Sequence, residues 1–249
     1  KHDSGHDQQK LNLKHSYSSG DFSVVSSFFV TNLNQETSGP VQGDDAYKDQ
    51  NLKRFNPNPE AYKDARTYRL SSKFSWETEH GTFTLNPYYR DIDVAFLQHF
   101  LPGIPLEENG QNSYGLQSMY VSAPGSMFDW RVGVDMEITE GFLKETQASP
   151  TVGSAFLVNT IPVGKHYDYE VDATFVSPYM LLKYNFTDMD QLSLGVRYES
   201  VEYDYNNLML NGRTKDDGTA CASGGCRFNR PADRTDNSNN VSVQLGWIH

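Results

Sequence analysis

The stretch from Met127 to Thr139 alternates strictly between apolar and polar residues. Phe128, Trp130, Val132, Val134, Met136 and Ile138 take one parity, and Asp129, Arg131, Gly133, Asp135, Glu137 and Thr139 take the other. Period two places these sets on opposite faces of a β-strand. One face is wholly apolar and the other mostly charged. A helix would scatter both sets around its circumference, so this segment is a strand.

The pattern recurs along the chain. Leu11, Leu13 and Tyr17 share a parity within about 8–18, and Phe22, Val24, Phe28 and Val30 share one in a segment reaching about Asn34. Tyr68, Leu70, Phe74 and Trp76 mark a third segment, and Phe83 and Leu85 begin a fourth. Tyr114, Leu116 and Tyr120 mark the fifth, ahead of 127–139. In the seventh, Val171, Ala173, Phe175, Tyr179 and Leu181 compete with Met180, Leu182, Tyr184 and Phe186 on the other register. Leu192, Leu194, Val196 and Tyr198 mark the eighth, but Val201, Tyr203 and Tyr205 fall on the opposite parity, which predicts a β-bulge near Ser200. Val241, Val243, Leu245 and Trp247 end a series of about nine strands.

The connections decide how those strands are arranged. Short linkers of turn residues lie at Ser18-Ser19-Gly20-Asp21, near Glu77–Gly81, at Ala123-Pro124-Gly125-Ser126 and at Thr187-Asp188-Met189-Asp190. Between them fall long polar segments, roughly 35–64, 96–111, 140–168 and 207–238. Short and long therefore alternate without exception. A two-sheet sandwich has no reason to sort its loops by length, whereas a bacterial outer-membrane barrel has short periplasmic turns and long extracellular loops. The expected fold is all-β: an antiparallel transmembrane β-barrel segment of about nine meandering strands. Strand six then rises from the periplasmic side, with Phe128 and Trp130 near the inner girdle and Val132 to Met136 across the lipid. Asp129, Arg131, Asp135 and Glu137 line the lumen.

Composition agrees with this reading. The chain has 249 residues, enough for one large domain over 1–249, and no apolar run long enough for a transmembrane helix. Its 15 Tyr, 14 Phe and 3 Trp suit a boundary between hydrocarbon and water. A net charge of −11 argues against a nucleic-acid partner, which calls for a basic footprint. Single-chain bacterial barrels have even strand counts, so nine strands are expected to be an incomplete barrel, a fragment of a longer polypeptide. The opening Lys1-His2-Asp3-Ser4-Gly5 shows no signal peptide.

Several stretches carry a resemblance. Ser177-Pro178-Tyr179 with Leu181 and Tyr184, then Leu194-Gly195-Val196-Arg197-Tyr198, resemble paired barrel strands of TonB-dependent outer-membrane receptors. The segment through Asp216-Asp217-Gly218, Cys221, Cys226-Arg227-Phe228 and Arg230–Arg234 resembles a cysteine-bearing extracellular loop of that family. Tyr88-Tyr89-Arg90, His99-Phe100-Leu101-Pro102 and Glu107–Gly110 are similar in character. The resemblance implies a plugged barrel of 22 strands in the bacterial outer membrane. It further implies energised uptake of a scarce solute, often a ferric siderophore or another metal chelate. The implied partners are outer-membrane lipid, a plug domain and TonB. A plug domain is not visible in this sequence, and Ile248 and His249 follow Trp247 where such proteins usually end on an aromatic residue.

Few residues point to chemistry. Cys221 and Cys226 enclose Ala222–Gly225; without CxxC spacing or companion histidines they are read as a disulfide before a metal or redox site. Tyr88, Arg90, His99 and Arg131 are the candidate ligand-binding residues, and Arg197 is a further lumen candidate. The bland alternatives are a solvated loop for His99 and charges paired with one another for the lumen residues. Asp44, Asp45, Asp216 and Asp217 lack EF-hand spacing, and no HExxH or Gly-x-Ser-x-Gly element occurs. No catalytic residue, metal or cofactor is expected. Two other readings stand beside the receptor: an outer-membrane barrel protease or phospholipase, and a soluble carbohydrate-binding β-sandwich.

Overall fold

The alternating segments become nine strands: β1 (His6–Ser19), β2 (Phe22–Glu36), β3 (Tyr62–Thr78), β4 (Gly81–Leu97), β5 (Leu106–Ser122), β6 (Phe128–Gln147), β7 (Gly164–Asn185), β8 (Gln191–Asn207) and β9 (Arg234–Ile248). One short helix, α1 (Ala155–Thr160), lies between β6 and β7. The computed structural model describes residues 4–123, 125, 127–187 and 189–249. The opening residues Lys1–Asp3, and Pro124, Ser126 and Asp188 of two short turns, lie outside the described residues. Each strand pairs antiparallel with the next, in one sheet of order β1 to β9. A sandwich needs two sheets facing each other. All nine named strands belong to one, which removes that alternative. Among the described residues β1 pairs only with β2, and β9 only with β8.

Side chains paired across neighbouring strands share a face, so the parity read at β6 propagates through the sheet. One row runs Phe22, Trp76, Phe83, Tyr120, Val132, Met180, Val196 and Val243 from β2 to β9. Rings gather near the short turns: Phe22 lies 5.5 Å from Trp76, Trp76 5.6 Å from Phe83, and Tyr120 5.0 Å from Trp130. Phe128 stacks on Tyr184 at 4.8 Å in the same zone. Further toward the long loops, Tyr89 and Tyr114 meet at 5.0 Å on that face.

Burial is inverted relative to a soluble fold. On the apolar face of the interior strands Met136 is 44% and Val196 41% exposed, while Ser113 and Ser177 on the polar face are 0% exposed. The apolar face is therefore the outward, convex side, and the polar side chains crowd inward. An outward surface of Val, Leu, Met and aromatic rings favours an apolar surrounding, as the outer faces of membrane barrels do.

Two expectations need correction. The strands are longer than the hydropathy pattern implies, so the long connections shrink to 37–61, 98–105, 148–163 and 208–233. Glu107 to Gly110 belong to β5, not to a loop. The bulge near Ser200 is absent: Val176↔Ser200 and Tyr179↔Arg197 keep one register, and β8–β9 pairing is unbroken. The parity change has another cause. The outward row of β8 runs Leu192, Leu194, Val196, Tyr198, then Ser200, Glu202 and Asp204. Beyond Tyr198 the outer side becomes polar and the apolar residues Val201, Tyr203 and Tyr205 move inside. The register shift between β6 and β7 falls at Glu145/Thr146 instead.

Candidate functional site: the inward wall and its long-loop end

Tyr88 and Arg90 stand on the inward face of β4, opposite Gly115 and Ser113 of β5. Gly115 in turn faces Glu137 of β6, so Tyr88, Gly115 and Glu137 form one row. The glycine is what makes contact across that row possible. A Cβ at Gly115 would lie 2.0 Å from the Tyr88 ring, so the ring occupies the space a side chain would fill. The Tyr88 hydroxyl thereby donates to Glu137 Oε2. Arg90 Nη2 donates to Glu137 Oε1 at 2.6 Å and to Ser113 Oγ at 3.3 Å. Thr139 Oγ1 donates to the same carboxylate at 3.0 Å and lies 2.8 Å from Ser113 Oγ.

A second cluster repeats this construction. A Cβ at Gly133 would lie 2.5 Å from the Tyr179 ring, which again takes the vacant space. Arg197 sits over that ring at 5.6 Å and bridges Asp135 at 3.1 Å and Glu199 at 3.0 Å. Charge-assisted bonds of this kind are the stronger hydrogen bonds of proteins, and here they tie β6 to β8 across β7.

The sequence candidates are only partly brought together. Tyr88 and Arg90 share one carboxylate. Arg131 lies on the inward face of β6 toward the short turns, opposite Val121 and Leu181, and makes no ion pair among the described residues. Val121 and Gly115 are six residues apart on β5, which separates Arg131 from the Tyr88 row by roughly 20 Å along the strand. His99 sits in the connection 98–105 at the opposite end. Its Nδ1 lies 3.4 Å from Thr37 Oγ1, and its ring meets Phe100 edge-on. These four residues do not form one pocket. Glu137, Ser113, Thr139 and Tyr179 were not singled out as site residues from the sequence; a glycine inside an otherwise regular strand is the signal that marks their cluster.

The long-loop end carries a separate folded cap. Cys221 and Cys226 are joined by a disulfide with Cα atoms 5.0 Å apart. Together with Phe228 they form a small buried cluster against Tyr167. Arg230, 1% exposed, holds the surrounding chain: Nε donates to Leu210 O at 2.7 Å, Nη1 to His166 O at 3.2 Å, and Nη2 to Thr214 O at 2.6 Å. Burial lowers its affinity for the proton, and Asp216 opposes that shift. His166 stacks on Phe228 at 4.4 Å, with its two ring nitrogens 2.9 Å from Glu145 Oε1 and 2.7 Å from Pro162 O. Among the described residues no group of three or more His, Cys, Asp or Glu is arranged to hold a metal.

No protein-family model matches this sequence, and no curated protein does either. Solved structures do resemble it. The ferric citrate transporter FecA, in its unliganded form, superposes with a TM-score of 0.68 at 13% identity, covering 100% of this chain and 34% of its own. The ferric-catecholate import receptor Fiu of E. coli K12 gives 0.66 at 10% identity, covering 97% and 44%. The copper transporter OprC gives 0.65 at 11% identity, covering 98% and 35%. The chain thus spans between about a third and under half of the length of these structures. Its fold is that of the barrel portion of TonB-dependent outer-membrane receptors.

Proposed function

We propose that residues 1–249 form one partial barrel domain of a bacterial outer-membrane receptor that takes up a scarce solute, most fittingly a ferric siderophore or similar metal chelate. The observation that carries this reading is the continuous apolar outward face backed by a charged inward wall, in a sheet that superposes on three metal-uptake proteins. The outward face calls for outer-membrane lipid. The inward wall calls for a filled lumen, the place of a plug domain in such receptors, and energised uptake adds TonB as a partner. The similar structures are two transporters and an import receptor rather than proteases or phospholipases, which favours the receptor over the enzyme.

Within this reading Tyr88, Arg90 and Arg131 face the bore, and His99 stands at its mouth beside the long loops. First contact with an incoming chelate then falls to the mouth. The test is uptake by the producing bacterium, using radioiron-labelled ferric siderophores and ferric citrate under iron limitation. Deletion of the gene is expected to abolish import of one of these chelates, with import restored by the intact gene. Unchanged uptake of every metal chelate in the deleted strain overturns the proposal.

A further inference from the structure

Arg69 of β3 stands directly opposite Arg90 of β4, and both point inward. Like charges directly opposite each other on one face of a sheet are destabilising. Glu137 engages Arg90 but does not reach Arg69. Arg69 is exposed and has no hydrogen-bond or carboxylate partner among the described residues. Arg90 Nε is buried and likewise unpartnered. Lys73, exposed on the same face of β3 where the pairing with β4 is interrupted, adds a third cation without a partner among the described residues.

Around these groups the wall opens into a recess of about 270 Å³ lined by Arg69, Ser71, Asn86, Tyr88, Arg90 and Gln117. That is far more room than the share of about 30 Å³ taken by one water molecule. Asn86 Nδ2 donates to Gln117 Oε1 at 2.8 Å, which fixes the floor. The acidic side of the wall contrasts with this one. Asp135, Glu137 and Glu199 are all already bound to Arg90 or Arg197. The acids nearest the recess are therefore engaged, whereas Arg69 at its wall is not; Glu77, further along the same face of β3 toward the short turn, is the nearest acid on that strand without an ion pair among the described residues.

We propose that this recess between β3 and β4 is an anion-binding site for a carboxylate or phosphate group. Such a group is gripped by the guanidinium groups of Arg69 and Arg90, with Lys73, four residues along the same face of β3, adding longer-range attraction. Guanidinium groups suit planar, bidentate recognition of these oxyanions. The anion has two possible sources: a free small solute in the bore, or a carboxylate side chain of polypeptide packed against the wall. The site does not depend on the uptake reading, because any inward occupant meets the same charges.

The experiment uses the protein as the cell produces it, purified in detergent, with inorganic phosphate as the probe. Raised phosphate at constant ionic strength is expected to raise the unfolding temperature of the wild type but not of Arg69→Gln. Arg69→Lys is expected to retain the effect with at least about a tenfold weaker midpoint. That result assigns a free anion. If phosphate has no effect, carbodiimide treatment of Arg69→Lys, read by mass spectrometry, is expected to join the introduced amine to one specific carboxylate. That assigns a side chain. A protein that shows neither phosphate-dependent stabilisation nor a specific cross-link overturns the proposal, as does a phosphate effect of equal size in Arg69→Gln. Loss of uptake with the anion effect intact would concern the receptor reading alone.

Discussion

The sheet and the cap at its long-loop end are held together by opposite rules. In the sheet, apolar side chains face outward and polar ones are hidden: Val196 is 41% exposed and Ser177 0%. In the cap, Cys226 and Phe228 are buried as in any water-soluble domain, and one buried arginine gathers the backbone carbonyls of the surrounding segments. The sheet relies on its surroundings for apolar contact and on its own ladder for hydrogen bonding. The cap supplies both for itself. Stability in the two regions therefore answers to different perturbations.

Arg230→Met should separate them most sharply. Two hydrogen bonds from a charged donor, at about 1.5–3 kcal/mol each, already put the loss near 3 kcal/mol or more. Limited proteolysis is expected to cut within 208–233 while the barrel keeps its resistance to heat in detergent; simultaneous loss of both would show the regions to be one unit. In the sheet, Val134→Arg places a cation on the outward face near mid-strand and should cost about 2–4 kcal/mol of folding stability in a lipid bilayer. On the inward face Gln117→Arg, opposite Asp135 in the register, should cost far less, and equal effects would mean the two faces are misassigned. Replacing both cysteines with serine should loosen only the cap, by about 2 kcal/mol, since the enclosed loop is short.

The smallest effect expected is a titration. The Thr219 backbone N–H and hydroxyl donate to Asp217 at 2.8 and 2.7 Å and hold its carboxyl below the usual value of 3.8. A depressed value stabilises the folded turn above the ordinary pKa, and that contribution fades as pH falls through the lowered one. The Thr219 amide resonance should therefore move in the cap below pH 3.8 and leave strand amides in place.

The sheet is largely legible because one face is apolar and the other polar along most of each strand, which imposes period two. Most outward rows from Leu11 to Trp247 follow that period, but in β7 the apolar set Val171, Ala173, Phe175, Tyr179 and Leu181 lies inward, and Met180, Leu182 and Tyr184 form the outward row. Legibility fails where the imposed contrast ends. Past Tyr198 the outside turns polar, so Val201, Tyr203 and Tyr205 move inside and mimic a bulge that the backbone does not contain. The strands also outrun the pattern there, which is why Glu107 and Glu108 read as a loop yet lie in β5. Contacts inside the wall are harder still. Tyr88 and Glu137 are 49 residues apart in sequence and meet across Gly115, whose missing side chain leaves room for the Tyr88 ring. The cap's organiser gives no local signal, since Arg230 sits in a polar stretch and its partners are backbone carbonyls.

The tyrosines laid over glycines have a mechanical meaning. Tyr88 and Tyr179 fill the hollows at Gly115 and Gly133 and reach across the neighbouring strand rather than standing up into the bore. Steric footholds along that part of the wall are reduced as a result. A group placed against that part of the wall therefore meets ion-paired side chains rather than upright rings, and its surface is set by Arg90, Glu137, Arg197 and Asp135.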